Sequence, residues 1–166
     1  MMKAIPNRVS TADWEMIPRQ VQFAWENSPL QWIPQDPIAS HNVNHFSFTL
    51  VRGEYFFCRI FNKALPHITD EQLKADVKTF IRQEAMHAVA HTSANKEYLS
   101  QRNIDIQRNL DIMDFLFTKA LADKPFDKEV PKFLEHQWDL FRLGVIATVE
   151  HMTCVLGKYA LYNKRW

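Results

Sequence analysis

Beyond about residue 40, apolar residues fall at three- and four-residue steps, the spacing that gathers them on one side of an α-helix. Phe46, Leu50, Val51, Phe57, Cys58 and Phe61 form such a stripe between Asn42 and Leu65, and Pro66 ends it. Thr69-Asp70-Glu71-Gln72 then reads as a capping box, with Thr69 as the cap and Gln72 reaching back. It opens a second helix that runs to about Leu99, with Leu73, Val77, Phe80, Ile81 and Ala88 on one side. Asn103 to Ala122, carrying Leu110, Met113, Phe117 and Leu121, predicts a third and shorter helix. A fourth is expected from about Lys128 to Tyr162, with Pro131 tolerated because it lies in the first turn. No internal repeat interrupts this order. The expected fold is all-α, an antiparallel helical bundle spanning residues 41–166.

The first 40 residues have a different texture. They hold Pro6, Pro18, Pro29, Pro34 and Pro37, five of the eight prolines, together with Trp14, Trp25 and Trp32. Proline blocks long helices and tryptophan seeks burial, so residues 1–40 are expected to wrap over the bundle.

Composition narrows the function. Hydrophobic residues at 46% and charged residues at 23% exclude disorder as the main state, and three glycines disfavour a turn-rich β fold. Lys and Arg total 20 against 19 Asp and Glu, a net charge of +1 with no basic stripe for a nucleic-acid backbone. Cys58 and Cys154 lack metal or redox spacing and read as core residues. The N-terminus lacks the apolar run of a signal peptide, and no run of 18 apolar residues occurs. The expectation is therefore a cytoplasmic protein with neither membrane nor nucleic acid as partner.

The informative residues are charges on apolar faces. Glu54 follows Leu50 and Val51 by one turn and precedes Phe57, Cys58 and Phe61. A lone buried carboxylate costs several kcal/mol, so it must be protonated, paired or bound to a cation. Glu84 repeats the problem, with Phe80 and Ile81 before it and Ala88 after. His87 stands at i+3 and His91 at i+7, on the same side. Glu-x-x-His at helical spacing brings a carboxylate oxygen and an imidazole nitrogen to one point, the pair used by carboxylate-bridged two-metal bundles. Glu150 is the third case, between Ile146 and Ala147 on one side and Thr153 and Cys154 on the other; His151 points about 100° away.

Taken singly, each has an ordinary explanation. A Glu-x-x-His pair arises by chance, and His91, His136 and His151 could be structural. Phe56, Phe57 and Phe80 fit either an apolar channel or simple packing. Three glutamates on the apolar faces of three helices are harder to dismiss together.

The order of these motifs resembles the family of predicted metal-dependent hydrolases. The resemblance rests on His45-Phe46, Gly53-Glu54-Tyr55-Phe56-Phe57, Ile68-Thr69-Asp70 and Leu73-Lys74-Ala75-Asp76-Val77. It continues through Phe80-Ile81-Arg82-Gln83-Glu84-Ala85-Met86-His87 and Glu150-His151, and covers about residue 33 onwards. It implies a ferritin-like bundle in which Glu54, Glu84, His87 and Glu150 are metal ligands, with His91 and His151 as additional candidates. Asn103 to Ala122 would then be a helix inserted in the crossover. The ferritin-like pattern also has a second Glu-x-x-His after the third-motif glutamate. None occurs in the 16 residues after Glu150, so the bundle is expected to be incomplete as the front part of a longer protein, or to be completed by a partner chain such as a second copy in a homodimer, or to carry a degenerate site.

Three functions follow as expectations. The first is metal-dependent hydrolysis of a small-molecule substrate, using iron or manganese as one ion or a dinuclear pair. The second is a di-iron oxidase or oxygenase, to which the same carboxylate-rich donor set is suited. The third is a ferritin-like module without turnover.

Overall fold

The computed structural model describes residues 17–18, 23–25 and 27–162; Trp14 lies outside them. Helix α1, Pro37–Ala64, starts five residues ahead of the expected Asn42. Two local causes set that start. The Asp36 side chain accepts the Ala39 N–H at 2.8 Å, and Pro37 sits in the first turn, where no N–H is needed. One turn further on, the fully buried Ser40 hydroxyl accepts the Ile33 N–H at 2.9 Å and ties the incoming chain to the helix. Ser40→Ala leaves that donor unpaired, so it is expected to cost about 1–2 kcal/mol, read as a lowered urea midpoint with an unchanged slope.

Helix α2, Glu71–Ser93, turns back along α1. Its cap is Asp70 rather than Thr69: the Asp70 carboxylate accepts the Leu73 N–H at 2.9 Å. A charged oxygen next to the positive helix end outcompetes the neighbouring hydroxyl, and Gln72 bonds Asp76 instead of reaching back. The antiparallel register can be read from cross-seam contacts. Ser47 meets His91, Cys58 donates to the Ile81 carbonyl, and Phe61 stacks edge-on against Phe80. Past Ser93 the chain widens into π-helical turns over Ala94–Leu99 and stops at Asn103, whose φ of 56° is left-handed. Asparagine tolerates that conformation. Asn103 therefore ends one helix instead of beginning the next.

Helix α3, Gln107–Phe115, is shorter than expected and continues as π-turns through Ala120. It lies along α1 through an Arg52–Asp114 ion pair of 2.9 Å and the Phe56–Phe117 ring contact. Phe126 and Asp127 both take positive φ, which makes the turn into the last helix. Helix α4, Glu135–Tyr162, begins after a single 3₁₀ turn, later than the expected Lys128. It packs on α1 beside the α3 extension, where Phe56, Phe57 and Ile60 meet Leu121 and Ile146. Phe56 and Phe57 are thus packed core, not channel lining. The bundle is all-α, with α1 as the helix that α2, α3 and α4 each touch. Among the described residues α2 and α4 do not pack on each other.

The described part of the N-terminal segment makes contacts with the helices. Trp25 donates to Ser93 at 3.2 Å, and Arg102 donates to the carbonyls of Trp25 and Ser28. Trp32 departs from the expectation: it is partly exposed and bonds Asn44.

Two further expectations change on α4. Cys154 is exposed, because only the side of α4 toward α1 is covered. Leu140, Phe141, Met152, Val155 and Leu156 are exposed as well. Although no uninterrupted run of 18 apolar residues exists, Lys132–Ala160 is long and apolar enough by length and composition to cross a membrane. Only Glu150 and Lys158 carry charge between Leu143 and Ala160. A helix apolar on both sides belongs either inside a larger packing or in a bilayer.

Candidate metal centre

The seam between α1 and α2 carries the charges that the apolar pattern flagged. Glu54 and Glu84 are each only 3% exposed and face one another across it. His87, one turn after Glu84, places Nδ1 3.4 Å from Glu84 Oε1 and 3.9 Å from Glu54 Oε1. One ligand atom from each of Glu54, Glu84 and His87 falls within 4.8 Å of the others. Two carboxylates and an imidazole converging at that range form a donor set able to hold a divalent cation. The His87 side chain is about half exposed, so the cluster meets solvent at His87 while both carboxylates are buried.

The electrostatics are those of an anion-rich pocket that lacks a cation of its own. Burial pushes the Glu54 carboxyl up to about 9, and the charges of Glu84 and Glu150 push the same way. Among the described residues, Glu54 Oε2 is buried and has no hydrogen-bond partner. Glu150, half-buried on α4, is also raised, by burial first and by Glu84 second, with His87 opposing. The hydrogen bond to Glu84 raises His87 against the effect of its burial. His91 moves the other way, lowered by burial and by the neighbouring His87. Burial raises the Cys58 thiol too, and the Glu84 and Glu54 charges add to it.

The structure brings some candidates together and leaves others apart. Glu54, Glu84 and His87 gather. Glu150 approaches from α4 closely enough to act on Glu54, Glu84 and His87 through its charge. His91 lies beside Glu54, with Nε2 3.6 Å from Oε1, and its other nitrogen is held by Ser47 at 3.0 Å. His151 and His136 are exposed and do not join the cluster. Ser47 was missed from sequence because a helical serine carries no chemical signal of its own. Its position could have revealed it: seven residues before Glu54, it shares that helix face.

An orphaned carboxylate oxygen in a buried acidic cluster, with an imidazole at i+3, is what a helical protein needs in order to hold a divalent cation. The residues fit the group. Comparison with known proteins points the same way: residues 17–166 match the family described as predicted metal-dependent hydrolase, and the chain belongs to that family. No curated protein and no solved structure matches it.

Proposed function

We propose that the protein is a metal-dependent hydrolase whose cation, manganese or iron, is held by Glu54, Glu84 and His87 with Glu150 completing the set from α4. The convergence of those three groups within 4.8 Å, on an orphaned buried carboxylate oxygen, carries the reading. When bound, a divalent cation supplies Lewis acidity toward a substrate oxygen or a water. The chain's own residues do the rest. Glu54 and Glu84 present negative charge from the dry side of the seam, where it acts strongly. His87 is half exposed, where it meets both the ion and whatever approaches from solvent. The ferritin-like character of the bundle and a second ion belong to this proposal too. They draw support from Glu150, which acts on the cluster from α4 through its charge.

Binding must displace the proton that burial keeps on Glu54 up to about pH 9. Affinity for Mn²⁺ is therefore expected to rise with pH, roughly tenfold per unit in the range below pH 9, with one proton released per ion. Protonation of His87 steepens the loss in acid. Calorimetric titration in two buffers of different ionisation enthalpy checks both the slope and the proton count. A pH-independent affinity contradicts the proposal. Ester and phosphoester hydrolysis by the loaded protein, set against oxygen consumption with a reductant, separates hydrolase from oxidase.

A further inference from the structure

The geometry points to Ser47 and His91 as a positioning pair that aims the Glu54 carboxylate at Glu84 and His87. This rests on the metal reading above and deepens it by naming residues that act on a ligand rather than on the ion. Ser47 Oγ lies 3.0 Å from His91 Nδ1 across the α1–α2 seam. The opposite ring nitrogen, Nε2, lies 3.6 Å from Glu54 Oε1. Ser47 stands two turns before Glu54 on α1, and His91 one turn after His87 on α2, so the helix pair itself sets the spacing.

A serine hydroxyl can either give or take a hydrogen bond, and the far side of the ring decides which. Once Glu54 is ionised, as cation binding requires, a proton on Nδ1 alone would leave the Nε2 lone pair facing a carboxylate oxygen in a buried seam, and the two would repel. With Ser47 donating to Nδ1, Nε2 carries the proton and presents N–H to Oε1. A doubly protonated ring presents the same N–H. The distance to Oε1 is slightly long for a hydrogen bond, as such contacts often are before a site is loaded.

The same arrangement removes His91 from direct ligation: Nδ1 is occupied by Ser47, and a protonated Nε2 has no lone pair to offer. In keeping with this, His91 is not among the groups that meet within 4.8 Å. A carboxylate held at Oε1 keeps Oε2, the oxygen without a partner, free to turn toward a cation. Outer partners of this sort typically change metal affinity by about 10–100-fold.

Two measurements on one set of variants test the pair. Long-range ¹H–¹⁵N spectra of the protein loaded with diamagnetic Zn²⁺, which keeps Glu54 ionised, report which nitrogen of His91 carries the proton. Calorimetry with Mn²⁺ reports the affinity. The expected wild-type ring is protonated at Nε2. Ser47→Ala shifts the tautomer signal, and both Ser47→Ala and His91→Ala weaken Mn²⁺ binding by about 10–100-fold. Ser47→Thr restores both readouts, and His91→Gln, whose amide can reach Glu54, restores part of the affinity. A wild-type ring protonated at Nδ1 overturns the inference, as does Ser47→Ala with unchanged spectrum and affinity. So does a His91→Ala loss as deep as that of His87→Ala with no rescue by Gln, because His91 would then be a ligand. Wild-type protein that binds no Mn²⁺ overturns the metal reading and this role with it. Wild-type binding that Ser47→Ala and His91→Ala leave intact overturns the positioning pair alone.

Discussion

Glu54→Gln is expected to make the metal-free protein more stable and the metal-binding protein useless. The two effects share one cause. In the folded chain burial holds the Glu54 proton up to about pH 9, whereas an unfolded glutamate releases it near 4.5. For a carboxyl raised on folding, stability is greatest below the unfolded value and falls as pH rises toward the folded one. At pH 7 the penalty amounts to roughly 3 kcal/mol, from about 1.4 kcal/mol per pH unit. Glutamine carries no such titration. The variant should therefore unfold at higher temperature than wild type at pH 7, and the difference should vanish near pH 4. Its Mn²⁺ affinity should fall by more than the ~10–100-fold typical of outer partners, because a ligand charge is gone. A variant that is less stable at pH 7 and still binds Mn²⁺ would make Glu54 an ordinary packed residue.

Arg142→Ala is expected to produce the largest loss of stability from a site remote from the metal centre. Arg142 is fully buried on α4, yet it bonds Asp123 at 2.6 Å, Asp139 and the Leu121 carbonyl. Its guanidinium also lies 5.7 Å from the Trp138 ring centre. It therefore clamps the end of the α3 extension to the start of α4, and so fixes the helix that carries Glu150. Truncation leaves Asp123 and Asp139 with the partly exposed Lys63 as their remaining cation, at 3.5 and 3.0 Å, and removes a large buried side chain one turn before Ile146. Because Asp123 is about half exposed and can recover water, the cost should sit near 2–4 kcal/mol. For a chain of this length that is a fall of roughly 5–15 °C in Tm. Arg142→Lys should recover little, since an ammonium cannot fork between two aspartates and a carbonyl. If Arg142→Ala melts with wild type, the buried arginine is a bystander.

Much of this was legible in the sequence, and the rest failed for identifiable reasons. The helical period placed all four helices, and the rule that a charge does not belong on an apolar stripe found Glu54 and Glu84 directly. Helix ends were read less well because adjacent residues compete for them. Asp70 displaced Thr69 as a cap, and Asn103 closed a helix by its left-handed backbone. Arg142 obeys the same rule as Glu54, with Trp138 four residues before and Ile146 four after, yet escaped notice. Long cationic side chains are usually assumed to reach water, and its aspartate partners lie up to 19 residues away. Ser47 and His91 could be paired only once the register of α1 against α2 was known, because the contact spans 44 residues. The exposure of Cys154 and of the outer side of α4 was invisible to periodicity. An apolar stripe shows that a face seeks cover and does not say what covers it.

Anomalous diffraction from crystals soaked in Mn²⁺, collected above and below the manganese edge, is the most direct measurement. A manganese peak bonded to Glu54, Glu84 and His87 is the predicted result, with the Glu54 oxygen that lacks a protein partner turned toward it. No peak there at saturating Mn²⁺ would contradict the account at its centre.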